Sequence, residues 1–211
     1  MKTEDFAGFL AAGAGPAPRA LAARRLAPAL ALGGLASLAL SLAVLGPVPS
    51  SMWVGAALWT KLCYAGALIV ACAWLAARLG RPAAAVWPAA AASIAVFCAM
   101  ALAGLVALVA TPAGGRATYL LGQSAIHCPW VILALSLPAL VGVLWALRAL
   151  APTRPRLAGF AAGLLAGAVG AAGYALACTE ESISFIALWY SLGIFLAGLL
   201  GSVLGARALR W

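Results

Sequence analysis

Residues 87–110 read WPAAAASIAVFCAMALAGLVALVA, and no charged side chain interrupts them before Thr111-Pro112. A helix rises ~1.5 Å per residue, so a run of this length crosses the ~30 Å hydrocarbon layer of a bilayer. Outward from it, five more intervals of similar character are bounded by Pro, Gly or charge. The first runs from Leu26 to Leu45 and stops at Gly46-Pro47-Val48-Pro49; the second runs from about Gly55 to Ala77, with Lys61 as its only charge. The fourth starts near His127-Cys128-Pro129 and reaches Leu147, the fifth covers Leu157 to Ala177, and the sixth Ile183 to Ala206. None alternates apolar and polar residues as a barrel strand does, and backbone groups in hydrocarbon must be satisfied within their own segment. The expected fold class is an all-α membrane protein, a bundle of six transmembrane helices.

Composition agrees. Of 211 residues, 66% are hydrophobic and 8% charged, with a mean hydropathy of +1.11. A soluble domain of that size needs far more charge to cover its surface. The chain divides into a leader, residues 1–25, and a six-helix domain, residues 26–211. A cleaved signal peptide is the rival reading of the first interval, but the leader is long for an n-region and five spans follow.

Orientation follows from Lys and Arg. With alternating helices, Lys2, Arg19, Arg24, Arg25, Arg78, Arg81, Arg148, Arg154, Arg156, Arg207 and Arg210 fall on one side, and Arg116 and Lys61 on the other. Eleven of the 13 basic residues thus mark the cytoplasmic face, which places both termini inside. Trp53, Trp59 and Trp130 fall near outer span ends, and Trp74, Trp87, Trp145 and Trp211 near inner ends, where indole rings favour the interface. The net charge of +9 reads as this topological signal rather than a nucleic-acid surface, because the basic residues are scattered without interleaved aromatics.

Small residues at helical spacing mark the last two spans: Gly159, Gly163 and Gly167, then Gly193, Ala197, Gly201 and Gly205. Such ridges let helix backbones approach closely in lipid. The loop from about Cys178 to Ser182 is short, which predicts an antiparallel hairpin.

In the leader, Thr3 suits a helix cap and Glu4 and Asp5 suit its first turn. Phe6, Phe9 and Leu10 then share one face, and Gly13, Gly15, Pro16 and Pro18 end the pattern. A helix of two to three turns is marginal alone. It needs a surface for that face, either the membrane interface or a groove on a soluble partner.

Chemistry concentrates on the opposite side. Cys128 heads span four and Cys178 ends span five, flanked by His127, Glu180 and Glu181, the only imidazole and the only carboxylates outside the leader. Two thiols at one depth can form a disulfide or capture a soft metal ion. Each is also a small apolar side chain that packs well, as Cys63, Cys72 and Cys98 are expected to do within their spans. Lys61 is expected to snorkel to the outer headgroups, the alternative being a pair with Glu180 or Glu181. No hydrolase, phosphate-loop or metalloprotease motif occurs, and no matched acid–base pair is available, so the chain is not read as an enzyme. A small transporter would need polar residues at mid-membrane, which only Lys61 offers; a thiol oxidoreductase would want Cys-x-x-Cys, which is absent.

The start Met1-Lys2-Thr3-Glu4-Asp5-Phe6 with Leu10-Ala11-Ala12, the head of span two Trp59-Thr60-Lys61-Leu62, and the end form an ordered set. That end is Cys178-Thr179-Glu180-Glu181-Ser182, Phe185, Trp189-Tyr190-Ser191-Leu192-Gly193 and Leu209-Arg210-Trp211. Together with six spans, the set resembles the NrsF family of membrane anti-sigma factors (negative regulator of sigma F) over nearly the whole chain. The resemblance implies a negative regulator of transcription in the bacterial inner membrane. Such a protein holds an extracytoplasmic-function sigma factor and releases it under oxidative or heavy-metal stress, without a resident cofactor. It also implies that Cys128 and Cys178 are the sensing thiols. The leader, through Asp5, Phe6, Phe9 and Leu10, is then expected to bury a surface of the sigma factor, with the inner loops around Arg78–Arg81 and Arg148–Arg156 as further candidates. Thr179 stands where family members often carry proline.

Overall fold

A computed structural model describes residues 3–13, 21–81 and 84–210, leaving aside the side chains of Ala7, Leu10 and Ala11. The expectations placed on Lys2, Gly15, Pro16, Pro18, Arg19, the Leu10 side chain and Trp211 lie outside the described residues.

Among the described residues eight α-helices follow one another. The leader helix α1 spans Thr3–Gly13, with Glu4 and Asp5 in its first turn. The long helices are α2 (Leu21–Leu45), α3 (Ala56–Leu79), α4 (Trp87–Ala110), α6 (Cys128–Arg148), α7 (Pro155–Ala175) and α8 (Ile183–Ala208), all six long and apolar enough to cross a membrane. Between α4 and α6 lies a short helix α5, Arg116–Leu121, which hydropathy alone does not reveal. Helix α2 starts five residues before the expected span and includes Arg24 and Arg25; the other ends shift by only one or two residues. Proline sets several starts: Pro88, Pro129 and Pro155 stand in first turns, where the missing N–H has no helical acceptor to lose.

Helix α7 is the central mast. Almost every residue from Ala158 to Ala175 is buried, and it packs on α2, α3, α6 and most extensively on α8. Alanine and glycine make that crowding feasible. A methyl at Gly159 would meet Gly205 Cα at 2.8 Å and also collide with the Gly201 carbonyl; one at Gly163 would meet Gly198 Cα at 2.7 Å and collide with the Ala197 carbonyl. The expected α7–α8 seam is therefore real, with one correction. Gly193 does not belong to it: a methyl there would meet Ile132 Cβ at 2.9 Å and Pro129 Cα at 3.1 Å, so it lets α6 approach instead.

Helix α4 is peripheral. It packs on α3 and, through its second half, on the start of α8, where Ser184 Oγ donates to the Gly104 carbonyl at 2.7 Å. The bundle's outward surface is apolar: Val70, Leu102, Val109, Val141 and Val203 are all exposed. Trp53, Trp59, Trp74, Trp87, Trp130 and Trp145 are exposed as well, near helix ends, as interface residues are. Leader helix α1 has no extensive packing partner among the described residues, and Phe6 and Phe9 are 48% and 76% exposed.

Candidate thiol site

Helix α7 ends at Ala175, and the backbone N–H of Cys178 still bonds the Tyr174 carbonyl at 2.9 Å, which tucks the Cys178 side chain back into the bundle. Helix α6 begins at Cys128, whose N–H bonds the Ser124 carbonyl at 2.9 Å. Both thiols are free and buried, 0% exposed at Cys128 and 3% at Cys178, and they lie near one another. Two tyrosines complete the chamber. Tyr174 and Tyr190 have ring centroids 5.7 Å apart, both adjoin the thiols, and the fully buried Tyr190 hydroxyl has no hydrogen-bond partner among the described residues.

Lys61 corrects the sequence reading. It neither snorkels outward nor pairs with a carboxylate: it is fully buried, and its Nζ donates to the Cys178 carbonyl at 2.7 Å. On α3 its face is shared by Leu58, Ala65 and Leu68, all buried, so the stem runs into protein rather than lipid. The carbonyl is available because Cys178 lies beyond the last regular turn of α7, where no later N–H claims it.

Glu180 is occupied elsewhere. Its Oε1 accepts from the Gln123 N–H at 2.7 Å and from the Ser124 N–H and Oγ, each at 3.0 Å. It thereby closes the turn that delivers Cys128. Gly122 is obligatory there: φ is +53°, and a Cβ would sit 2.5 Å from the Glu180 carboxylate. Glu181 and His127 are exposed. Among the described residues no group of three His, Cys, Asp or Glu side chains converges as a metal site. The expected polar support of the thiols is therefore supplied by Lys61 and Glu180 through backbone groups, while His127 and Glu181 stand aside.

The rest of the C-terminal motif is architectural. Ser182 caps α8 by accepting from the Phe185 N–H at 3.2 Å, and its hydroxyl donates to the Tyr119 carbonyl at 2.6 Å. Trp189 Nε1 donates to the Leu120 carbonyl at 2.9 Å, which clamps α5 over the thiol end. Tyr64 and Ser191 share a hydrogen bond of 2.6 Å between α3 and α8. Ile186–Tyr190 is a single π-helical turn, a wider winding that inserts a residue and often marks a functional position. Tyr190 closes that turn with its ring against the thiols. In the sequence its only signal is a tyrosine amid apolar residues, which gives it no role by itself.

The family model described as NrsF, negative regulator of sigma F, matches residues 10–211. The chain is 42% identical over 214 residues to the anti-sigma-F factor NrsF of Caulobacter vibrioides, with both chains covered completely. It is 40% identical over 215 residues to the probable anti-sigma-F factor NrsF of Azospira oryzae, again over the whole of both. No solved structure matches significantly.

Proposed function

The chain belongs to the family of negative regulators of sigma F, and on that premise we propose that it is a membrane-embedded anti-sigma factor with a thiol trigger. It lies in the bacterial inner membrane with both ends in the cytoplasm. There it holds an extracytoplasmic-function sigma factor, using the exposed apolar face of α1 around Asp5, Phe6 and Phe9, and Leu10 by its place in the sequence. The observation that carries the trigger is the burial of Cys128 and Cys178 in one chamber, with the Lys61 Nζ donating to the Cys178 carbonyl. Oxidation removes two protons and two electrons from the thiols to form a disulfide; with hydrogen peroxide as acceptor, two waters result. A soft heavy-metal ion instead displaces both protons and takes the two thiolates. Either event repositions the end of α7, the helix on which most of the bundle packs. The differential binding energy needed is modest, ~1–3 kcal/mol for a severalfold to hundredfold change in occupancy.

Co-purification of the sigma factor from solubilised membranes tests this reading. The wild type should lose its partner on adding oxidant or cadmium, and the Cys128→Ser/Cys178→Ser variant should retain it. A double variant that responds like wild type removes the thiol trigger; a wild type that never retains a sigma factor removes the sequestration itself.

A further inference from the structure

Three guanidinium groups gather at the end of the bundle opposite the thiols. Antiparallel packing brings Arg156, in the first turn of α7, beside Arg207 and Arg210 at the end of α8. With Ser202, Val203 and Ala206 they line one pocket of about 400 Å³. The bundle's only carboxylate side chains, Glu180 and Glu181, lie at the other end, and Glu4 and Asp5 stand on the leader. The N-terminus of α7 adds its partial positive charge to the same spot.

Above this pocket, α4 splays away from α7 and α8 and leaves an apolar cleft of about 710 Å³ whose walls include Leu79, Val86, Phe97, Phe160, Leu188 and Phe195. Cleft and pocket lie on one face. Along α8, Leu188, Leu192, Phe195, Leu199, Ser202 and Ala206 recur every three or four residues; the first three line the cleft and the last two the pocket. Leu199 between them is 45% exposed, so nothing on α8 closes the passage. On α7, Arg156 and Phe160 stand one turn apart, bridging the same two spaces. From Ser202 to Phe195 the path is about 10 Å at the helical rise.

We propose that this composite groove binds an anionic phospholipid, with its phosphate among Arg156, Arg207 and Arg210 and one acyl chain laid along α8 into the cleft under α4. A free phosphate would use the arginines but not the apolar channel, and a neutral lipid would use the channel but not the arginines. The inference rests on the bilayer reading above. A lipid seated there bridges α4, α7 and α8 at the end where the sigma factor is held.

The test is lipid binding by the detergent-purified full chain, read by native mass spectrometry and by thermal unfolding. The probes are phosphatidylglycerol, phosphatidylcholine, glycerol 3-phosphate and inorganic phosphate. Phosphatidylglycerol should bind about tenfold or more tighter than phosphatidylcholine and raise the unfolding temperature, since each interfacial arginine attracts an anionic headgroup. The Arg156→Gln/Arg207→Gln/Arg210→Gln variant should lose that preference, whereas Ala90→Phe, which fills the cleft from α4, should weaken both lipids. Equal binding of the two lipids by wild type, an unchanged preference in the arginine variant, or equal stabilisation by glycerol 3-phosphate or inorganic phosphate would each overturn the proposal. A chain that fractionates with membranes yet shows no headgroup preference sinks the lipid site alone; one that never enters membranes sinks the bilayer reading too.

Discussion

Lys61 and Cys178 meet through one hydrogen bond, the Nζ of the first on the main-chain carbonyl of the second at 2.7 Å, across 117 positions of sequence. This bond ties α3 to the end of α7, one residue's backbone away from a thiol. Replacing Lys61 by Met keeps the stem and removes the donor, leaving a buried carbonyl unpaired at a cost of about 1–3 kcal/mol. Lys61→Met should unfold at a lower temperature and hold less sigma factor before any stress is applied. Wild-type retention together with a wild-type melting temperature would show that the bond neither stabilises nor sets the resting state.

Glu180 and Glu181 are adjacent and chemically identical, yet their substitutions should differ. Glu180→Ala strands the Gln123 and Ser124 N–H groups at the turn before Cys128, and should cost about 2 kcal/mol, as expected for hydrogen bonds to a charged acceptor. Glu180→Gln keeps one acceptor oxygen and should recover part of that loss. Glu181→Ala removes an exposed side chain and should change thermal unfolding in detergent very little. Equal effects at the two positions would contradict the turn-closing role.

That difference was invisible in the sequence, and the reason is general to this fold. The six long helices were legible because each is an uninterrupted apolar run long enough to cross a membrane, and the starts marked by Pro88 and Pro129 were legible because proline fits a first turn. Which face of each span meets protein was not legible. Lipid and protein interior are equally apolar, so α3 carries no polar stripe to show that Lys61 points at α7. Hence its stem was expected to run outward. Gly193 was misplaced for the same reason: four-residue spacing marks a ridge, but not which neighbour leans on it. Helix α5 is a short turn-and-a-half without a span's hydropathy, and the thiol chamber depends on Tyr174 and Tyr190, whose roles appear only when α7 and α8 are folded together.

The α7–α8 seam predicts a severe steric phenotype. Gly159 faces backbone atoms of Gly201 and Gly205, which cannot swing aside as a side chain tip can. Gly159→Val should therefore cost at least the ~1–3 kcal/mol typical of overpacking and abolish stable folded protein in membranes. Gly66, with open space around it, supplies the control: Gly66→Ala should fold normally, and its substitution inside a helix favours stability by roughly 0.5–1 kcal/mol. Fluorescence-detected size exclusion of both variants checks the pair, and a monodisperse Gly159→Val peak would remove the close-packed seam.

The leader should separate binding from stability. Phe6 and Phe9 are exposed on α1, which has no extensive packing on the bundle among the described residues, so Phe6→Ser/Phe9→Ser should leave thermal unfolding unchanged. If their face is the sigma-factor anchor, the same variant should release the sigma factor in unstressed cells and raise transcription from its promoters. Unchanged melting with unchanged retention would move the binding surface off α1 and onto the arginine-bearing loops.

Burial orders the reactivity of the five cysteines. Cys128 and Cys178 are shielded by Tyr174, Tyr190 and the α5 clamp, while Cys63 and Cys98 are exposed, Cys63 in a groove between α3 and α4 and Cys98 in the cleft under α4, and Cys72 is buried against Ser93. In reduced, intact membranes a lipid-soluble maleimide should modify Cys63 and Cys98 first and leave the other three largely untouched. A membrane-impermeant maleimide should reach neither pair at rest, because the exposed thiols face lipid and the sensing thiols face protein. Trp189→Phe removes the hydrogen bond that holds α5 at Leu120 and should speed modification of Cys128 and Cys178 specifically, as local opening becomes easier. Peptide mass mapping after timed quenching gives the order directly. Sensing thiols that react as fast as Cys63 in the resting wild type would mean that the chamber is open, and that access to it is not what the trigger controls.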